Sequence, residues 1–250
     1  MAQVLFDGSH KEDLALASEG DDGLSAVAAD LRADGFELRV IGRPAALLEE
    51  TFADVAVTVV AFPKVSFSKA ECQRVWDFVH GGGGLLLTAE WGNIFNNASV
   101  LNQLCQPWGL TFNTDRVADA VQSFEQDVVF QGEVVGKERL PQFPRIRTFA
   151  DHPVTSGIKE VGHFSGCSIS APKVASLAWS SPTSFADMDG DAERDLGEQQ
   201  GPLITAAVAL EPGGRLIGIG DTSVLTNKHY RSADNARYLR NIFAWLSRRI

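Results

Sequence analysis

Polar and aromatic side chains follow four predicted strands of this 250-residue chain, at the points where the strands end. The four turns read Asp7-Gly8-Ser9-His10, Phe62-Pro63-Lys64, Glu90-Trp91-Gly92-Asn93 and Asp221-Thr222-Ser223. Carboxylates, amides and hydroxyls beside an indole ring suit a small polar ligand such as a sugar. The residues that we expect to bind it are Asp7, His10, Glu90, Trp91, Asn93, Asp221 and Ser223. The alternative is that they are solvated turn residues and helix caps that bind nothing.

A nucleophilic enzyme would need a thiol or hydroxyl within hydrogen-bond distance of a base, usually at a strained turn between strand and helix. The chain has no GxSxG motif and no HExxH motif. Cys72 and Cys105 lie on apolar faces of predicted helices, which favours core positions. His163 and Cys167 would share one face of a strand, but that spacing alone does not make a thiol reactive. Binding is therefore favoured over catalysis.

One acidic stretch has the spacing of a calcium-binding loop. Residues 187–198 read DMDGDAERDLGE, with acids at loop positions 1, 3, 5, 9 and 12. Ala192 stands where such loops usually have glycine, and the six acids and one arginine give a charge of −5. Either the loop is mobile or a cation neutralises it. The predicted ligands of a structural Ca²⁺ are the side chains of Asp187, Asp189, Asp191 and Glu198 and the backbone carbonyl of Glu193.

The elements that must position these residues alternate between strands and helices. Strands are predicted at 4–7, 36–42, 54–62 and 85–89, and helices at 22–34, 68–80 and 97–107. The apolar, β-branched stretch DVAVTVVAF (54–62) is typical of a strand buried on both faces of a parallel sheet. Ser68 followed by Glu71 predicts a capping box, and Gly81 to Gly84 end that helix. This order predicts a doubly wound α/β fold.

The alternation of strands and helices is interrupted in the middle of the chain and resumes near its end. Residues from about 115 to 200 hold short β-like pieces, which we expect to form a β-rich insertion within one domain spanning residues 1–250. Two strands then flank the turn EPGG (211–214), and a helix is predicted at 233–248.

Bulk composition excludes several classes of function. The net charge of −10 argues against a nucleic-acid partner, because phosphates call for clustered lysine and arginine. Mean hydropathy is −0.04, and no apolar run approaches the roughly 20 residues of a membrane span, so no membrane insertion is expected. Three separated cysteines suit a reducing compartment, and no signal peptide is visible. We therefore expect a cytoplasmic protein.

The motifs VLFDGSH, VAFPKVSFSKAECQRVWDFVHGGGGLLLTAEWG, GLTFNTDRV and GGRLIGIGDTSVLTN, followed by a C-terminal FAWL helix, occur in an order that resembles the GIFT domain family. The segment DHPVTSGI (151–158) also looks like a stretch common in this group. GIFT domains occur in an intraflagellar transport protein and in gliding-motility ABC-transporter components. Their fold is similar to that of class I glutamine amidotransferases, so the resemblance implies a flavodoxin-like parallel sheet flanked by helices.

The resemblance also bears on function. In true amidotransferases the strand corresponding to GGGLLLTAE ends in a catalytic cysteine, with a histidine and a glutamate from a later loop. This chain has Ala89 and Glu90 at that place. The resemblance implies a non-catalytic module that binds a sugar-like ligand or a protein partner, such as a component of a transport or motility assembly. The alternative is an amidotransferase-like hydrolase with an atypical active site.

Overall fold

A mixed, mostly parallel sheet of eight strands forms the centre of the computed structural model, which describes residues 2–12, 15–43, 46–49, 52–210 and 213–250. The strands are β1 (Ala2–Asp7), β2 (Phe36–Ile41), β3 (Val55–Ala61), β4 (Gly84–Thr88), β5 (Thr111–Phe112), β6 (Arg116–Ala118), β7 (Ser123–Phe130), β8 (Glu133–Ile146), β9 (Thr148–Phe149), β10 (Val161–Gly162), β11 (Ile169–Ser170), β12 (Ala175–Trp179), β13 (Phe185–Asp187), β14 (Ile204–Leu210) and β15 (Arg215–Ile219). The helices are α1 (Ser25–Ala33), α2 (Ala46–Glu49), α3 (Lys69–His80), α4 (Asn97–Cys105), α5 (Asn227–Tyr230) and α6 (Asn235–Leu246).

The central sheet has the strand order β2-β1-β3-β4-β15-β14-β12-β9. The first five strands pair in parallel, and the last three pairings are antiparallel. Helices cover both faces, so the predicted α/β class with a flavodoxin-like, amidotransferase-like sheet is confirmed. The antiparallel part begins at the hairpin of β14 and β15, where Glu211 and Pro212 of the predicted EPGG turn lie outside the described residues.

Two hydrophobic layers follow from the alternation of side chains along each strand. In β4, Leu86 belongs to one buried cluster, together with residues of α1 and α6. Its neighbours Leu85 and Leu87 belong to the other cluster, together with residues of α3 and α4. The apolar stretch predicted as a doubly buried strand is β3, whose Val59 and Val60 divide between the same two clusters. The sheet is therefore covered on both faces.

Some strands of the region from 115 to 200 belong to the central sheet, and others form smaller sheets outside it. Strands β9 and β12 extend the sheet at its antiparallel edge. Strands β7 and β8 form a long hairpin whose tip is exposed, with Phe130 64% accessible. The strand expected after Gly109 is a two-residue strand, β5, which pairs with β11 outside the central sheet. No helix among the described residues is long and apolar enough to cross a membrane.

Candidate functional site

The four predicted turns meet at one edge of the sheet, beyond the carboxyl ends of β1, β3, β4 and β15. Backbone hydrogen bonds join neighbouring turns, from Lys64 N–H to His10 O (2.8 Å), from Phe62 N–H to Thr88 O (3.0 Å) and from Thr222 N–H to Ala89 O (2.8 Å). This edge is where open α/β sheets bind ligands. The structure divides the predicted site residues here into two polar clusters, one on each side of β3.

The first cluster joins Glu90, Asp221 and Ser223. Ser223 donates from its backbone N–H and its hydroxyl to Glu90 Oε1, at 3.1 and 2.9 Å. Asp221 is fully buried and accepts hydrogen bonds from the backbone N–H groups of Ser223 (2.8 Å) and Phe164 (2.6 Å). The two carboxyl groups thus share Ser223 as a donor, which holds the turns after β4 and β15 together.

Both carboxyl groups of this cluster bind protons more tightly than usual. Burial raises the pKa of Asp221 from 3.8 to about 8, although backbone hydrogen bonds oppose the shift. Burial also raises the pKa of Glu90 well above 4.5, and repulsion from Asp221 adds to it. Carboxyl groups with raised pKa values are typical of catalytic acids, but buried structural pairs show the same shift.

A histidine and a thiol lie beneath this cluster and out of reach of solvent. His163 Nδ1 is 4.0 Å from Asp221 Oδ2, and burial lowers the pKa of His163 to about 4. Cys167 is fully buried, and burial together with the nearby carboxylates raises the pKa of its thiol well above 9. A reactive cysteine needs the opposite, a lowered pKa and partial exposure. The geometry therefore gives Cys167 the position of a core residue, as its spacing to His163 did not by itself indicate a reactive thiol.

Trp91 and Asn93, the other predicted binding residues of this turn, already contact protein groups. The Arg116 guanidinium lies 5.0 Å from the centre of the Trp91 ring. Asn93 accepts from Ser99 N–H at 2.9 Å and donates to the Ser99 hydroxyl at 2.8 Å, which holds the start of α4. Asn93 thus stabilises the turn, and Trp91 is the half-buried aromatic surface beside it.

One exposed and two half-buried aromatic side chains form the rim of the edge, together with left-handed backbone. Phe62, Asn93, Phe95 and Asn96 all have positive φ, between 50° and 66°. Such a conformation is uncommon for non-glycine residues and costs on the order of 1–3 kcal/mol each. Phe95 is 65% exposed, and the Lys64 ammonium lies 5.1 Å from the ring centres of both Phe62 and Phe95. We refer to Phe62, Lys64, Trp91 and Phe95 as the aromatic rim.

The second cluster lies at the end of β1 and is buried. His10 Nδ1 is 2.7 Å from Asp7 Oδ2, and the imidazole stacks on Phe67 with ring centres 3.7 Å apart. Glu12, which the sequence analysis did not single out, accepts from His10 N–H at 2.9 Å. Asp7 is 0% and His10 4% exposed, so neither side chain reaches a ligand in solvent without movement of the turn.

His10-Lys11-Glu12 has the H-x-E spacing of the amidotransferase histidine and glutamate. It follows the first strand, however, whereas the amidotransferase pair comes from a later loop. Burial and the Asp7 carboxylate raise the pKa of Glu12 to about 9. This triplet is a buried polar cluster rather than a triad aligned with a thiol at the end of β4.

The predicted calcium loop packs against the aromatic rim. Asp187 is buried, and its Oδ2 accepts from Arg116 Nε at 3.0 Å and Nη2 at 2.5 Å. One carboxylate oxygen of each of Asp187, Asp189 and Asp191 lies within 4.8 Å of the others. Both oxygens of Glu198 accept backbone N–H groups of the loop, and Glu193 N–H donates to Asp191.

Ala192, at the position where calcium loops prefer glycine, has a φ of 67°. The loop therefore adopts a left-handed turn at this position without glycine. Arg116 neutralises part of its charge. The sequence spacing gave no sign of this partner, because Arg116 lies 71 residues away along the chain.

Comparisons with known proteins agree with this architecture. The amino-terminal domain of IFT52 superposes with a TM-score of 0.74 at 14% identity, covering 98% of this chain and 97% of that domain. A putative ThuA-like protein from Parabacteroides merdae gives 0.56 at 14% identity, with 98% and 89% covered. A cytoplasmic protein from Salmonella typhimurium LT2 gives 0.54 at 14% identity, with 98% and 99% covered. Identities this low show a common fold and nothing finer.

Sequence comparison gives the family. No curated protein matches the chain. The sequence profile of a family described as a domain of unknown function, DUF4350, matches residues 17–243. The sequence motifs led us to expect a member of the GIFT family. The comparisons show less than that, namely a fold shared with the IFT52 domain. Because the profile spans most of its length, the chain belongs to the DUF4350 family.

Proposed function

We propose that this chain is a non-catalytic binding module whose ligand or protein partner binds at the aromatic rim. The observation that carries the proposal is the rim itself. Phe95 is 65% exposed on a turn where three non-glycine residues are left-handed, and the neighbouring turn adds a fourth, Phe62. A strained backbone persists where the surrounding structure holds it, and such positions cluster at binding sites. Exposed aromatic side chains beside a lysine suit both a sugar-like ligand and a protein surface.

The thiols of the chain support binding over nucleophilic catalysis. Cys72, Cys105 and Cys167 are all buried, at 6%, 0% and 0% exposure. Burial raises the pKa of each thiol above its ordinary value of 9.0. A substrate at the rim would meet carboxyl, hydroxyl and aromatic groups instead of a thiolate. The fold shared with the IFT52 domain supports the further proposal that the module is GIFT-like and works in a transport or motility assembly.

The test is a binding screen with a matched pair of variants. Thermal-shift measurements against sugars and nucleotides, and pull-downs with defined candidate partners, identify a binder of the unmodified chain. Phe95→Ala should then weaken binding by about fivefold or more, because an aromatic anchor that becomes buried on binding contributes over 1 kcal/mol. Phe130→Ala is the control, since Phe130 is equally exposed (64%) but lies at the tip of the β7–β8 hairpin. Equal binding by the Phe95→Ala variant and the unmodified chain would contradict the proposal.

A hydrolase is the second candidate, favoured by one contact. The Ser223 hydroxyl donates to Glu90 Oε1 at 2.9 Å, which is the distance between a nucleophile and its base. We expect no turnover of activated esters or glutamine above background, because burial and the neighbouring Asp221 raise the pKa of Glu90 and disfavour the carboxylate that would act as the base. Turnover that is lost in both Ser223→Ala and Glu90→Gln would establish the hydrolase and overturn the binding proposal.

A further inference from the structure

The buried cluster at the end of β1 gathers three carboxyl groups around one imidazole. Asp7 ends β1, His10 and Glu12 come from the turn after it, and Glu71 comes from the first turn of α3. Their exposures are 0%, 4%, 6% and 7%. Isolated charges in such surroundings are strongly unfavourable unless they are paired, so this concentration of acids needs an explanation.

Positive charge is scarce in this cluster. Within the described parts of the chain, His10 is the only basic side chain that pairs with any of these carboxyl groups. Its Nδ1 is 2.7 Å from Asp7 Oδ2, and its Nε2 is 3.6 Å from Glu71 Oε1. One imidazole, at most singly charged, faces three acids. The cluster is therefore suited to hold an additional cation.

One carboxylate oxygen of Glu12 lacks a partner, and a cation would supply one. Glu12 Oε2 accepts from His10 N–H at 2.9 Å. Glu12 Oε1 is buried and has no hydrogen-bond partner among the described residues. By contrast, Asp7 Oδ1 accepts the backbone N–H (3.0 Å) and hydroxyl (2.6 Å) of Ser9, and Glu71 Oε2 accepts Ser68 N–H (2.8 Å). A buried polar atom without a partner is uncommon and calls for an unseen water, proton or ion.

We propose that Asp7, His10 and Glu12 bind a divalent transition-metal cation, Zn²⁺ or Mn²⁺. One donor atom of each residue lies within 4.8 Å of the other two. Donors about 2.1 Å from a shared ion lie roughly 3–3.5 Å apart, so small side-chain movements complete the site. An imidazole among carboxylates selects this class, because Ca²⁺ and Mg²⁺ prefer oxygen ligands.

The surroundings of His10 fit the role of a metal ligand. In the tautomer whose Nδ1 carries no proton, that nitrogen is available to the cation beside Asp7. Nε2–H then faces the Glu71 carboxylate. Ligating histidines usually donate their second N–H to such a carboxylate, which orients the ring. The stacked Phe67 ring limits movement of the imidazole plane. Glu71 is therefore a positioning residue. This site does not depend on the proposed function, since none of its residues belongs to the aromatic rim.

The competing explanation is a proton shared between Asp7 and Glu12, and Glu12→Gln separates the two. Glutamine keeps the shape and an acceptor for His10 N–H, but it supplies no carboxylate to a metal. The experiment uses the full chain, stripped with a chelator and dialysed, and titrated with Zn²⁺, Mn²⁺, Ca²⁺ or Mg²⁺ in a calorimeter. Elemental analysis gives the stoichiometry, and the visible spectrum of the Co²⁺-loaded chain reports the imidazole ligand.

We expect one Zn²⁺ or Mn²⁺ per chain at this site and weaker binding of Ca²⁺ and Mg²⁺. Glu12→Gln should abolish binding, and Glu71→Gln should weaken it by about 10- to 100-fold, as loss of an orienting carboxylate does. The control Asp189→Asn with Asp191→Asn alters the acidic loop and should leave this binding unchanged. A stripped chain that binds neither ion, or a Glu12→Gln variant that binds as tightly as the unmodified chain, would overturn the proposal. The Co²⁺ spectrum of the unmodified chain decides the matter if a variant does not fold.

Discussion

At the scale of single residues, Glu90 and Asp221 place two carboxyl groups with raised pKa values in one small volume. Burial is the main cause of both raised pKa values, and repulsion between the two groups adds to that of Glu90. The ordinary pKa values are 4.5 and 3.8, so the unfolded chain releases these protons at lower pH than the folded chain. Between the pKa values of the unfolded and the folded chain, the folded state therefore binds more protons. The free energy of unfolding should fall as pH rises from about 4 to about 8.

The first prediction follows from this loss of stability with rising pH. Glu90→Gln keeps an oxygen that accepts from Ser223 and removes one of the two titrating groups. The melting temperature of this variant should fall less steeply with rising pH than that of the unmodified chain. Glu37→Gln, at an exposed position of β2, is the control and should leave the slope unchanged. Parallel pH profiles for the unmodified chain and Glu90→Gln would show that Glu90 does not titrate in this range.

At the scale of elements, the run Gly81 to Gly84 lets α3, β4 and α6 pack closely. A Cβ atom on Gly83 would lie 2.3 Å from the Phe78 ring, and one on Gly84 would lie 2.6 Å from Leu246 O. No side chain fits at either position without movement of its neighbours. The glycines thus serve packing between helix and strand, and the residues that follow β4 deliver Glu90 and Trp91 to the edge.

The helix before these glycines provides the second prediction. Ser68 Oγ accepts from Glu71 N–H at 3.2 Å, and Glu71 Oε2 accepts from Ser68 N–H at 2.8 Å, which confirms the capping box. Ser68→Ala should lower the free energy of unfolding by about 1 kcal/mol, because a backbone donor at the helix start loses its partner. Ser68→Asp should restore most of it. Urea denaturation measures both, and an unchanged midpoint for Ser68→Ala would contradict the prediction.

At the scale of the whole molecule, the acidic loop reaches back to the sheet edge. Gly190 packs against Trp91 so closely that a Cβ atom would lie 2.8 Å from the indole ring. Arg116 also joins the loop to the rim, because its guanidinium lies over the Trp91 ring and pairs with Asp187. The conformation of the loop is therefore coupled to the aromatic rim, and any ion that orders the loop would also stabilise Trp91.

The third prediction concerns calcium at this loop. If Ca²⁺ binds Asp187, Asp189, Asp191, Glu193 and Glu198, a hundredfold excess over Kd stabilises the folded chain by about 2.7 kcal/mol. A Ca²⁺ chelator should then lower the melting temperature, and Asp189→Ala with Asp191→Ala should remove that sensitivity. The measurement is made in the Glu12→Gln background, which eliminates the metal site proposed at β1. Identical melting curves with Ca²⁺ and with chelator would show that the loop is held by Arg116 and its own backbone.

The sequence by itself determined the features that depend on neighbours along the chain. The β-branched stretch of β3, the pair Ser68 and Glu71, and the alternation of strands with helices are local signals. They predicted the sheet, its flanking helices and the edge where four turns meet. They also placed Asp221 and Glu90 at that edge, because each directly follows a strand.

Only the tertiary structure decided which polar groups meet and which are buried. Ser223 and Glu90 are 133 residues apart, and Arg116 and Asp187 are 71 apart, so no local pattern encodes either contact. From the sequence, Glu71 was predicted only as part of a capping box, and Glu12 was not singled out. Folding brings both carboxyl groups next to His10 and buries them. The order of strands in the sheet fixes these encounters, and burial then sets their proton affinity. That is why the sequence predicted the edge but not its division into an aromatic rim and a buried acidic cluster.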